Sequence, residues 1–166
     1  MEGCLTRRIL GRETALRIAI QCPTEDPATT DFLELGAVTQ KSLTQDGNTI
    51  ESNDSSCASG YTEVQISTSS LSLSVSGNYL RAGLAGANEI PISDLQKYYN
   101  NSVRTDLSRN PIVLVQLAAP DVTFTAYMLI SSISIDYADA ENASYSMEFM
   151  NAPSPTYPPT FVDTPE

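Results

Sequence analysis

Read for its alternation of apolar and polar positions, the chain is a succession of strands. Leu16, Ile18, Ile20 and Cys22 recur at every second position and predict a first half-buried strand. Pro23 and Pro27 flank a turn-rich acidic piece, after which Phe32 to Val38 starts a second. Residues 61–66 and 71–77 give two more period-2 runs, but their apolar positions switch from even (64, 66) to odd (71, 73, 75). One inserted residue turns every later side chain to the opposite face, so the switch predicts a bulge or tight bend within 67–70. The same break recurs in the long run Val122 to Ile135. There Phe124, Ala126, Met128 and Ile130 are even, Ile133 and Ile135 are odd, and a bulge or strand junction falls at Ser131-Ser132.

Ile112 to Leu117 is apolar on both faces and reads as a central strand. Ala143 to Phe149 is the last strand, with Ala143, Tyr145, Met147 and Phe149 inward. One segment carries the helical period instead. Ser93 as N-cap, Gln96 as its capping-box partner and Asp94 in the first turn open a helix over 94–104. Leu95, Tyr98, Tyr99 and Val103 form its apolar stripe.

Two stretches fit neither period. Residues 39–60 are almost all Ser, Thr, Asn, Asp, Gln and Gly, with Leu43 and Ile50 the only large apolar residues, and read as a long polar loop used for binding. Residues 151–166 hold half of the ten prolines and read as an extended arm or a disordered end. The expected layout is an N-terminal arm over 1–13, a β domain over 14–150 and a Pro-rich tail over 151–166. The expected fold class is mainly β: a β-sandwich or barrel subunit with one α-helix, a long loop and extended terminal arms. Many strands in one small domain leave edges that invite pairing with another copy.

Composition narrows the function. A chain of 166 residues fits one domain, and its formal net charge of −11 repels nucleic acid and anionic membranes. There is no His, which removes Ser/His/Asp and Cys/His catalysis and His-ligated metals. Cys4, Cys22 and Cys57 match neither a metal knuckle nor a paired disulfide framework, and read as free, mostly buried thiols. No signal peptide or 18-residue apolar run is apparent, so the expectation is a protein made without export and without a membrane span.

Asp136, Asp139 and Glu141 cluster in a hairpin turn, and Asp46-Gly47-Asn48 opens like a calcium loop, but neither has the required spacing. Gly83 to Gly86 lacks the Lys-Ser/Thr of a phosphate loop. No catalytic, cofactor-binding or metal-ligating residue is therefore assigned, no cofactor is expected, and the chain reads as a non-enzyme. Charge is nonetheless uneven. Residues 1–17 hold Arg7, Arg8, Arg12 and Arg17 against Glu2 and Glu13, while 18–166 hold five basic and eighteen acidic groups. In a self-assembling protein, a basic arm docks on an acidic neighbour.

The order of these parts resembles a known family. Gly11-Arg12-Glu13-Thr14 with the strand Ala15 to Ile20, the polar segment 48–55, the strand Ser70 to Asn78, the helix around Leu95 and the closing pair (124–137, then 145–149) are similar to the major tail tube proteins of long-tailed bacteriophages. The resemblance runs over residues 9–150, and the Pro-rich tail departs from it. It implies a structural virion protein whose copies form hexameric rings, with inner strands joined into one β-barrel around a DNA conduit. It also implies assembly in the host cytoplasm and partners in the tape measure and the tail terminator and tip proteins, with genomic DNA passing without specific binding.

On that likeness, Arg7, Arg8, Arg12, Asp46, Glu51 and Asp54 are candidates for contacts between rings. Glu34, Glu63 and Asp121 are candidates for charge facing the lumen, where acidity keeps phosphates from adsorbing. Two other readings stand beside it: the inner tube of a contractile secretion machine, and a monomeric carbohydrate-binding or adhesion β-sandwich that uses Tyr and the acidic turn.

Overall fold

The computed structural model of the chain describes residues 14–52, 63–80, 83, 85–105, 110–137, 142–152 and 156–164. Nine strands form one mixed sheet: β1 (Ala15–Ala19), β2 (Leu33–Leu35), β3 (Val38–Ser52), β4 (Glu63–Asn78), β5 (Glu89–Ile90), β6 (Ile112–Ala118), β7 (Val122–Asp136), β8 (Ser144–Asn151) and β9 (Thr160–Asp163). The helix α1 (Ile92–Thr105) lies between β5 and β6. Strands follow the order β3-β4-β8-β7-β6-β1-β2-β5, and β9 pairs with β7.

The core explains the curl of this sheet. Leu16 and Ile18 of β1 share one buried cluster with Leu71, Leu73 and Val75 of β4, although three strands separate β1 from β4. A flat sheet would hold them about 19 Å apart, so the sheet wraps into a barrel-like sandwich. Helix α1 covers it through Ile92 and Leu95, both buried, and the Tyr98 hydroxyl donates to the Ile112 carbonyl at 2.8 Å.

Both phase breaks are bulges. Asn48 faces Thr68 and Thr49 faces Ile66, leaving Ser67 without a partner residue. Ile130 faces Phe149 and Ser132 faces Glu148, leaving Ser131 out. The inserted Ser131 keeps Ile133 and Ile135 on the core side past the break, whereas Ile66 beyond Ser67 is exposed on the ribbon.

Four expectations are corrected. Residues 39–52 are not a loop: β3 runs as strand through Ser52, paired with β4 to Glu63, and 53–60 lie outside the described residues. Its apolar signal is missing because most of this hairpin has no core to face. Helix α1 begins at Ile92, so Ser93 sits inside the first turn instead of capping it, and the core-facing stripe is Ile92, Leu95, Tyr98, Tyr99 and Ser102 while Val103 is exposed. Strand β1 ends at Ala19, which leaves Ile20 and Cys22 exposed. The tail supplies β9, which continues along the β7 edge that β8 vacates. Cys4, Cys57, Asp139 and Glu141 lie outside the described residues.

The join between β2 and β3 is the tightest point. Ala37 there has φ 54°, a left-handed conformation that costs a non-glycine residue about 1–2 kcal/mol. Its carbonyl accepts from the Asn78 amide at 3.0 Å. A Cβ on Gly77 would stand 2.3 Å from that carbonyl oxygen and 2.9 Å from the Tyr145 ring, whose hydroxyl donates to Gly36 at 3.3 Å. Gly77→Ala is expected to cost at least about 3 kcal/mol in denaturant unfolding. Gly83→Ala, where a Cβ meets nothing within 4 Å, stays within about 0.5 kcal/mol.

Burial raises the Tyr145 phenol above its ordinary value. A folded pKa above the unfolded one gives stability that is complete below about pH 10 and is lost as pH rises beyond it. Tyr145→Phe is expected to shallow the alkaline limb of a stability-against-pH curve.

Candidate functional site

Strands β3, β4, β8 and the C-terminal half of β7 form a four-stranded antiparallel sheet with two unlike faces. Leu71, Leu73, Val75, Tyr145, Met147 and Phe149 point to the core. The opposite face is hydroxyl-rich because Ser alternates with these apolar residues along each strand. In register across it run Gln40, Ser76, Ser146 and Ser134, then Ser42, Ser74, Glu148 and Ser132. Asp136 and Ser144 form the next pair down. The charges on this face are the carboxylates of Glu148 and Asp136, both exposed, and it carries no Lys or Arg among the described residues.

Both edges of this four-stranded sheet are open among the described residues. Strand β3 ends the sheet order and pairs only with β4. Strand β6 reaches along β7 only to Leu129, extended by the Ile130 amide bonding to Pro111, so Ser131–Asp136 has no strand on that side. Unpaired strand edges are templates for pairing with another chain.

Beyond the sheet the β3–β4 hairpin continues as a two-stranded ribbon. Strand β8 pairs with β4 only over Ser72–Asn78, and residues 44–50 and 66–70 are all exposed. Ile50 and Ile66 are 59% and 70% exposed, with Ile66 lying against Gly47. A two-stranded ribbon without a core is marginal alone in water.

The other half of the molecule is two-faced. Under the outer side of β1, β6 and β7 lies a second cluster of Ala19, Leu114, Tyr127 and Ala152, with Phe32 and Tyr157 packed on it. The Tyr127 hydroxyl donates to the Glu25 carbonyl and accepts from Gln21 Nε2, both at 2.6 Å, tying residues 21–25 to the sheet. Burial raises its pKa, partly offset by the Gln21 bond.

Of the residues singled out from sequence, Asp46 lies exposed on the ribbon opposite Ser70. Glu51 pairs through its backbone with Val64, and Glu63 opens β4 opposite Ser52. Glu34 sits on β2 beside Glu89 of β5, and Asp121 in the β6–β7 turn, where its carbonyl accepts from Thr164. Glu34 and Asp121 are therefore on other elements than the hydroxyl face. Arg7, Arg8, Arg12 and Asp54 lie outside the described residues. Sequence reasoning missed Glu148 as a charge on that face, and the signal was present: Ser144, Ser146 and Glu148 alternate with Tyr145, Met147 and Phe149.

Among the described residues, no group of three acidic or Cys side chains is placed to hold a metal, and no helix is long and apolar enough to cross a membrane.

No family model matches the sequence, and no curated protein is similar to it in sequence. Solved structures are similar in fold. A chain in the tail of an empty gene transfer agent particle, refined with C6 symmetry, is 14% identical at a TM-score of 0.62, over 94% of this chain and 98% of that one. A chain of the anti-feeding prophage baseplate, symmetrised six-fold, is 8% identical at 0.58, over 95% and 97%. The SPP1 tail tube protein is 15% identical at 0.54, over 90% and 82%. The fold of this chain is thus the one found in phage tail tubes and related particles.

The ribbon yields a prediction of its own. In the isolated subunit, amides of 44–48 and 68–71 are expected to exchange hydrogen at least about 100-fold faster than those of Ser72–Asn78, as read by mass spectrometry.

Proposed function

We propose that this chain is the structural subunit of a phage-type tail tube, and the observation that carries the reading is the four-stranded sheet with two open edges and one uncovered hydroxyl face. The β7 edge at Ser131–Asp136 of one copy pairs with the β3 edge of the next. Alternate strands of this sheet run in opposite directions, and four is an even number. Copies related by rotation about one axis therefore present β3 antiparallel to the neighbouring β7, and the ladder continues without a reversal. The contact is heterologous, and it closes into a ring where the rotation from copy to copy divides a full turn. The C6 symmetry of the similar gene transfer agent tail supports six copies.

Four strands from each of six copies make a barrel of about 24 strands, wider than the 16–18-stranded porins that already leave an aqueous channel. The hydroxyl face turns inward, because the opposite face is occupied by the core. A wall of hydroxyls with scattered carboxylates holds no phosphate, so DNA slides through during ejection. The ribbon and the basic N-terminal arm (Arg7, Arg8, Arg12), with Asp46, Glu51 and Asp54, join one ring to the next. A tape measure and the tail terminator and tip proteins are the partners of such a tube, and the virion tail, assembled in the host cytoplasm, is its place. The role is structural and not enzymatic. The likeness to the anti-feeding prophage chain favours a second reading, the inner tube of a contractile machine, which uses the same surfaces.

Electron microscopy with light scattering in low and high salt tests this: rings or hollow tubes are expected, and a strictly monomeric protein in every condition overturns it. Ser74→Arg with Ser146→Arg leaves tube formation intact and makes tubes retain DNA, with retention falling steeply as salt rises. Wild-type tubes retain none.

A further inference from the structure

The outer side of β6 and β7 carries a cleft of about 370 Å³ that ring closure leaves unused. Phe32, Leu114, Tyr127, Tyr157 and Pro158 line it, with Asp26 beside them. Glu25 and Asp31 flank this segment, and all three carboxylates are exposed. Arg17 is the cation on the adjoining strand, where its guanidinium donates to Gln116 at 3.3 Å. An apolar slot with an acidic rim takes a segment that combines large aliphatic side chains with positive charge.

The chain holds one segment of that composition. Leu5-Thr6-Arg7-Arg8-Ile9-Leu10-Gly11-Arg12 carries three arginines and three large aliphatic residues in eight positions, against five basic residues in all of 18–166. It lies outside the described residues and joins the fold at Thr14. The Thr14 carbonyl accepts from Lys41 Nζ, and both residues line a cavity with Leu16 and Leu35 of the core. Thr14 is therefore at the core-side cavity, whereas the cleft opens on the opposite face, under Leu114 and Tyr127. Thirteen residues extend to at most about 45 Å, enough to reach a neighbouring molecule.

We propose that this cleft is the docking site for the N-terminal segment of a second copy, with Ile9 or Leu10 seated among Phe32, Tyr127 and Tyr157 and the arginines over Glu25, Asp26 and Asp31. The proposal rests on the tube reading and gives the basic arm its receptor.

Two experiments on the full chain test it. In the first, Asp26→Lys with Asp31→Lys, and separately Ala28→Trp on the exposed lip of the cleft, are assayed for tubes by microscopy in low salt. Tube yield is expected to fall at least about tenfold in each, and Arg7→Glu with Arg8→Glu is expected to restore it in the Asp26→Lys, Asp31→Lys background. In the second, Cys4, Cys22 and Cys57 are replaced by Ser, and a preparation carrying Ile9→Cys is mixed with one carrying Ala28→Cys and oxidised. A disulfide between the two preparations is the expected product. Rings and tubes unaffected by the cleft changes, with no such disulfide, overturn the docking and leave the tube standing. A disulfide that forms only within one chain carrying both cysteines overturns it equally. Wild-type protein that makes neither rings nor tubes overturns the tube reading itself, and this inference with it.

Discussion

The architecture depends on how one strand divides its hydrogen bonds. Strand β7 is fifteen residues long and serves three neighbours: β6 along its first half on one edge, and β9 then β8 along the other. Where β6 stops, β7 has just passed the Ser131 bulge, and the two events together convert a strand buried on both faces into one buried on a single face. Before the bulge, Phe124, Ala126 and Met128 fill the main core while Tyr127 and Leu129 pack under the outer cover. After it, Ile133 and Ile135 still face the core while Ser132 and Ser134 are exposed. Without the inserted residue, those serines would point into the core.

This division made much of the fold legible in the sequence and hid the rest. One buried face forces alternation and two force a continuous apolar run, so β4, β7 and β8 could be read from the first, β6 from the second, and both bulges from the phase at which the alternation changed. The serines that fill the other phase were equally visible, but alternation says which residues share a face, not what that face meets. Hence the place of Glu148 on the hydroxyl face was not legible from alternation alone, and Glu34 and Asp121 lie on other elements.

The distal half of β3 and its partner failed for the converse reason. Thr44 to Ile50 has neither face on a core, so no hydrophobic period is imposed, and a paired ribbon reads as a polar loop. Strand β9 is exposed at all four residues and bracketed by prolines, which again leaves only backbone pairing to define it. The helix start differs for a smaller cause: Ile92, buried at 3%, extends the apolar stripe by one turn upstream of Leu95.

The placement of charge follows the same logic of faces. The net charge of −11 is not gathered on the hydroxyl sheet, whose four-stranded part carries Glu148 and Asp136 on its exposed face among the described side chains, with Asp46 farther out on the β3 ribbon. Serine suits such a face. It is small enough to leave the sheet smooth, and its hydroxyl has the backbone within reach, as Ser131 shows by donating to the Glu148 carbonyl at 3.0 Å. A hydroxyl presents no fixed charge to a passing polyanion, and two carboxylates per subunit add mild repulsion without a cation to offset it. Repeated around the proposed ring, that pattern would give a wall whose interaction with phosphate is weak and of one sign. Such a wall has no site at which a polyanion would stop.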